Sequence, residues 1–111
     1  MRGWGFPVLA LAAFAGAAPG GPEVAVRASK RGFEPSRITV RRGETTRLAL
    51  SSSDGEHCFA IDALRVEKRI VPGRPTRLDL TSDKAGVFPF YCCLESGEAA
   101  RTERGELTVT E

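Results

Sequence analysis

The feature that most constrains the fold is a two-residue alternation of apolar and polar side chains within short segments. Thr46–Ser51 and Thr76–Thr81 show it most cleanly, each with leucines two positions apart. This is the period of a β-strand with one buried face, whereas a helix would place apolar residues three or four apart. Twelve glycines and seven prolines lie mostly between such segments, where they favour turns. The sequence therefore predicts an all-β chain.

About seven or eight strands can be placed in this way, with turns at regular spacing between them. The remaining predicted strands are Val24–Ala28, Arg37–Val40, His57–Asp62, Leu64–Val71, Val87–Cys93 and Gly105–Thr110. Phe33, in the turn-rich stretch before the second of these strands, is expected to plug one end of the core. A chain of 111 residues has room for one small domain. The expected fold is one Greek-key β-sandwich of antiparallel strands.

The first residues have the pattern of an export signal. Arg2 precedes an apolar run over Phe6–Ala15, and Ala15-Gly-Ala17 has the small side chains of a cleavage site. The run is short for a membrane-spanning helix, which needs about 20 residues. We predict a signal peptide over residues 1–18, a linker over 19–23 and the domain over 24–111. The mature protein is then periplasmic or secreted, where disulfides are admissible.

Charge and composition argue against several functions. The net charge is +2 and the charged residues are scattered, so no basic surface for nucleic acid is expected. With one histidine in the chain, no pair of nucleophile and base is recognisable, and we predict that the protein is not an enzyme. We expect a monomer.

The histidine and the three cysteines are the candidate metal ligands. His57 and Cys58 are adjacent at the start of one predicted strand, and Cys92 and Cys93 are adjacent at the end of another. Sulfur and imidazole ligands favour copper or zinc over a hard cation. Alternation places His57 and Cys92 on one side of their strands, and Cys58 and Cys93 on the other. The candidate metal set is thus His57, Cys92, Cys58 and Cys93.

An ordered set of short motifs resembles the cupredoxins, in particular small periplasmic cupredoxin-like domains and the copper domain of cytochrome oxidase subunit II. The motifs are Phe33-Glu-Pro35, Ile38-Thr-Val40, Gly43, His57-x-Phe59, Val71-Pro-Gly73 and Gly86-x-Phe88-x-Phe90-Tyr-Cys92. The resemblance implies that His57 and Cys92 are copper ligands. It also implies that further ligands come from the loop over 94–104.

That loop departs from the family pattern, because it contains neither histidine nor methionine. Ser96, Ala100 and Glu103 stand where the dinuclear relatives have cysteine, histidine and methionine. A blue copper centre needs two histidines, so neither a blue nor a dinuclear centre is expected. A three-coordinate Cu(I) site of His57, Cys92 and either Cys58 or Cys93 fits better, with Glu95 as an optional ligand. Glu95, Glu98, Glu103 and Glu106 could each supply an oxygen ligand, but all four are expected to face solvent as partners of Arg101 and Arg104.

Two disulfide pairings compete with metal binding. Alternation favours Cys58 with Cys93, which would leave His57 and Cys92 as a residual metal pair. A bond between the vicinal Cys92 and Cys93 would close a strained, reducible ring. One thiol stays free in either case, because the chain has three cysteines.

Three functions follow from these alternatives. The first is copper handling or slow electron transfer, with a periplasmic or membrane-bound redox or metal-transfer protein as partner. The second is a metal-free binding module stapled by a disulfide. The third is a thiol redox protein using Cys92 and Cys93, which lack the Cys-x-x-Cys spacing of such proteins.

Overall fold

The computed structural model describes residues 22–95 and 102–111, which form nine strands and one short 3₁₀ turn. The strands are β1 (Glu23–Ser29), β2 (Gly32–Glu34), β3 (Arg37–Arg41), β4 (Thr46–Ser52), β5 (His57–Ile61), β6 (Val66–Ile70), β7 (Thr76–Leu80), β8 (Gly86–Tyr91) and β9 (Arg104–Thr110). The all-β prediction is confirmed, and the short β2 is a strand that the alternation did not predict. The predicted signal peptide lies outside the described residues. Within the described ranges, no helix combines the length and apolarity that crossing a bilayer requires.

The strands form two sheets that enclose the core. One sheet has the order β2-β1-β4-β7 and the other the order β3-β9-β8-β5-β6. The predicted antiparallel pairing holds for most neighbouring strands, but β1 with β4 and β3 with β9 are parallel. A hairpin cannot join parallel neighbours, which need a crossover. In both pairs the chain crosses through the opposite sheet before it returns, as a Greek-key sandwich requires.

The predicted alternation fixes the core. Leu48 and Leu50 of β4 are fully buried, and Ile38 and Val40 of β3 are almost fully buried. Phe33 is buried as expected. Its ring meets those of Phe59 and Phe90 edge-on, at centroid distances of 5.7 and 5.3 Å, which is a favourable aromatic geometry.

The strand predicted over Leu64–Val71 begins later than expected. Asp62–Leu64 is a 3₁₀ turn, and Arg65 has a φ of 57°, in the left-handed region. A residue in that region cannot continue an extended strand, so β6 starts at Val66. Alternating side chains alone do not reveal this break.

Candidate metal centre

Three strand termini meet at one end of the five-stranded sheet. His57 opens β5, Cys92 directly follows β8, and Glu103 directly precedes β9. Because β8 is antiparallel to both β5 and β9, the end of β8 lies beside the starts of its two neighbours. A backbone hydrogen bond from the Cys92 N–H to the Glu103 carbonyl, 2.9 Å long, fixes this meeting point.

His57 and Cys92 are neighbours, as the sequence predicted. The His57 Nδ1 lies 3.9 Å from the Cys92 Sγ, and both side chains are buried. The imidazole and this thiol lie on one side of the sheet, as the alternation of side chains predicted.

The surroundings of the Cys92 sulfur favour the neutral thiol over the thiolate. Burial raises the pKa of the Cys92 thiol, and the carboxylate of Glu103 raises it further. The backbone N–H of Cys58 donates to the Sγ over 3.4 Å, and the backbone of Leu94 contributes a second hydrogen bond. These amides would stabilise the negative charge on the sulfur if metal coordination removed the thiol proton.

His57 is held between two carboxylates. Its Nδ1 lies 3.0 Å from the Glu103 Oε1, and its Nε2 lies 2.7 Å from the Asp54 Oδ1. These two contacts fix the orientation of the imidazole ring. A metal at Nδ1 would take the place of the contact with Glu103, and the hydrogen bond between Nε2 and Asp54 would keep the ring oriented.

Asp54 is itself fixed by its loop. Its carboxylate accepts hydrogen bonds from the Lys30 N–H at 2.9 Å and from the Ser52 hydroxyl at 3.3 Å. The hydrogen bond from His57 and that from the Lys30 backbone lower the pKa of Asp54 to about 2. Asp54 is thus ionised near neutral pH. Asp54 was not among the predicted site residues, because a polar loop has no periodicity that would indicate where a side chain points.

The expected exposure of Glu103 is wrong. It was predicted to face solvent, but only 1% of its surface is exposed. The signal was present in the sequence: Leu107 and Val109 point inward, so alternation extended back through Gly105 puts Glu103 on the same face. Glu106 is exposed, as predicted. Ser96, Ala100 and Glu98 lie outside the described residues.

Cys58 and Cys93 form a disulfide, which is the pairing that alternation favoured, and Cys92 stays free. The bond links the residue after His57 to the residue after Cys92. A disulfide sulfur offers no thiolate, so the structure does not bring these two cysteines into a site with His57. Metal binding by this pair stays a prediction for the reduced protein.

The donor atoms around His57 are spaced for one metal ion. One ligand atom from each of His57, Cys92, Glu95 and Glu103 lies within 4.8 Å of the others. Metal bonds of roughly 2.0 Å to nitrogen and 2.3 Å to sulfur add up to more than the observed Nδ1–Sγ distance, so an ion fits between these atoms without moving them apart. Glu95, proposed from the sequence as an optional oxygen ligand, lies within this group.

Comparisons with known proteins agree with this architecture. A family model described as cupredoxin-like domain matches residues 5–109. No curated protein matches the chain significantly. The periplasmic domain of cytochrome oxidase subunit II (CoxB) of Bradyrhizobium japonicum is 16% identical, with a TM-score of 0.70 over 80% of this chain and 83% of that one.

Two further solved structures have the same fold. The metal-binding domain of the Cu(I)-exporting P-type ATPase CopA of Streptococcus pneumoniae D39, determined with Cu(I), is 15% identical, with a TM-score of 0.70 over 86% of this chain and 92% of that one. Auracyanin B is 16% identical, with a TM-score of 0.68 over 85% of this chain and 92% of that one. At these identities the similarity establishes the fold and leaves the site to be argued from its own residues.

Proposed function

The chain belongs to the cupredoxin-like domain family, and on that premise we propose that it is an exported copper-binding protein with its site at His57 and Cys92. The observation that carries the proposal is the 3.9 Å contact between the His57 Nδ1 and the Cys92 Sγ, two buried groups on neighbouring strands. Sulfur and imidazole are donors that copper prefers. Similar structures support the choice of metal and compartment, since one is a periplasmic domain and another holds Cu(I).

Each residue of the site has a distinct role in this proposal. Cys92 supplies the thiolate, and the N–H of Cys58 donates a hydrogen bond to that sulfur. His57 supplies Nδ1, and Asp54 orients its ring through Nε2. Glu103, at the position that methionine holds in dinuclear relatives, lies beside these two ligands and would offer an oxygen to Cu(II). Copper bound here would exchange ligands or electrons with a partner protein.

The donor set favours handling of copper over rapid electron transfer. Cu(I) is satisfied by few, soft ligands, and Cys92 with His57 provides them. Cu(II) would also draw on the carboxylates of Glu95 and Glu103, because it prefers more ligands and harder ones. A site whose ligands change with oxidation state reorganises at every electron transfer. We therefore propose that the protein holds Cu(I) for delivery, or cycles it slowly, with an exported redox or metal-transfer protein as partner.

The experiment that tests this is an anaerobic titration with Cu(I) against a coloured Cu(I) chelator, with the disulfide intact. We expect uptake of about one Cu(I) per chain and its loss when His57→Ala is combined with Cys92→Ser. Glu103→Gln should weaken binding about tenfold or more, as changes beside a metal site commonly do. Glu106→Gln is the matched control, because Glu106 is an exposed glutamate on β9, the strand that directly follows Glu103. Unchanged uptake by the double variant would refute the assignment.

A second function has an observation in its favour. Both nitrogens of His57 already contact carboxylates, and the disulfide already staples the strand ends, so the sandwich needs no metal to satisfy these groups. The alternative is a metal-free binding module. Metal analysis of protein isolated without added copper, combined with its intact mass, distinguishes the copper-binding protein from the metal-free module. Crosslinked protein without copper, and without affinity for it, supports the module.

A further inference from the structure

We propose that reduction of the Cys58–Cys93 disulfide opens a second metal site, formed by the two released thiolates and the carboxylate of Glu67, for a thiophilic ion such as Zn(II) or Cu(I). This site lies on the opposite side of β5 from His57. It does not depend on copper binding at Cys92.

Strand register brings the three ligands together. Ala60 of β5 pairs with Glu67 of β6, and side chains of paired residues share a face of the sheet. Cys58 is two positions from Ala60, so it shares that face and is a diagonal neighbour of Glu67. Cys93 is bonded to Cys58 and completes the group. One ligand atom from each of Cys58, Cys93 and Glu67 lies within 4.8 Å of the others.

The redox step is balanced by a dithiol reductant. A thiolate of that reductant attacks one sulfur of the disulfide, the bond between Cys58 and Cys93 breaks, and the second thiol of the reductant resolves the mixed disulfide. The reductant ends as a disulfide, and the protein gains two electrons and two protons as two thiols. Cys93 is half-buried and Cys58 almost wholly buried, so the attack falls on the Cys93 sulfur. When the metal binds, both thiol protons are released.

Charge and geometry suit a cation at this place. Two thiolates and a carboxylate bring three negative charges, which a divalent ion largely offsets. Arg69, the cross-strand partner of Cys58, adds a neighbouring positive charge, although its guanidinium also bonds to Glu56 at 2.8 Å. β6 is the last strand in the order of its sheet, so the group lies towards an edge that an ion can reach. A fourth position is left for water or for a ligand from a partner.

Zinc alone is the probe that tests the proposal, in a Cys92→Ser variant that keeps only the two cysteines of the disulfide. The oxidised variant should bind no zinc tightly. After reduction by a phosphine and removal of the reductant, it should bind about one Zn(II) per chain. Adding Glu67→Gln should weaken the affinity about tenfold or more, while Glu106→Gln should leave it unchanged. Absence of zinc uptake after reduction, or equal affinity with Glu67→Gln, overturns the proposal.

If the Cys92→Ser variant unfolds when its disulfide is reduced, circular dichroism still tests the proposal. Zinc should then restore the β-sheet signal, because metal binding to ligands assembled only in the fold stabilises the fold. A reduced variant that stays unfolded with zinc contradicts the second site. Because this variant lacks Cys92, its result is separate from that of the copper titration, and either proposal can fail alone.

Discussion

Removing the disulfide should cost the domain a large part of its stability. The perturbation is Cys58→Ala with Cys93→Ala, which breaks a crosslink between residues 35 positions apart. The chain-entropy relation for a loop of this length gives about 13 cal/mol/K, or about 4 kcal/mol at 25 °C. For a domain of this size, that loss lowers the melting temperature by roughly 15–30 °C.

The assay is thermal and urea denaturation followed by circular dichroism, with a chelator present so that metal does not contribute. Cys92→Ala is the matched control, since it also removes a buried sulfur but breaks no crosslink. Wild type in a phosphine reductant should melt close to the double variant, and the double variant should not respond to the reductant. A loss below about 1 kcal/mol, or a control that loses as much as the double variant, would refute the loop-entropy reasoning.

Three further predictions test the packing and the charges. Glu103→Leu should destabilise the protein by about 3 kcal/mol in urea denaturation, because it leaves the buried Nδ1 of His57 without its carboxylate partner. Glu103→Gln keeps an acceptor oxygen and should cost less, and equal losses would contradict this. Gly105→Ala should cost about 2–3 kcal/mol, because its Cβ would overlap a buried phenylalanine ring and a backbone carbonyl. Gly43→Ala, with open space but a φ of +82°, should cost only about 1 kcal/mol, and the reverse order would be evidence against the packing. The hydrogen bond from Arg47 lowers the pKa of Asp79 in the folded protein below its ordinary value of 3.8. The contribution of this pair to the stability of the fold is therefore complete above pH 3.8, and it is lost as the pH falls through the lowered pKa of the folded state. Melting temperatures of wild type and Asp79→Asn should therefore converge in acid, and a constant difference would exclude this linkage.

The period of two carried most of the fold prediction because it reports directly on burial. Leu48 and Leu50 were assigned to the core from that pattern, and both are fully buried. The pattern contains no information on strand direction, so it could not show that β1 and β4 run parallel. It also could not show the left-handed Arg65, which interrupts a segment whose side chains still alternate.

The candidate site was predictable only where its residues lie on strands. The adjacency of His57 and Cys92 followed from alternation together with a family resemblance. Burial of Glu103 could have been predicted in the same way, because alternation counted back from Leu107 puts it on the inward face. The general expectation that charged residues face solvent was followed instead. Burial of this carboxyl group is acceptable here because it is hydrogen-bonded to the imidazole 3.0 Å away. Asp54 comes from a loop, and only the folded chain shows where its carboxylate points.

Alternation also explains why four ligand-type side chains form two separate pairs. Consecutive residues of a strand point to opposite faces, so His57 and Cys92 meet on one face while Cys58 and Cys93 meet on the other. The crosslink holds the Cα atoms of its two cysteines 5.1 Å apart, and His57 and Cys92, the proposed ligands, each directly precede one of them. The staple therefore restricts how far the imidazole and the free thiol can separate, before any ion binds. Such preorganisation strengthens binding by removing conformational freedom in advance. A thiol reductant that breaks the Cys58–Cys93 bond should for this reason also let His57 and Cys92 move further apart.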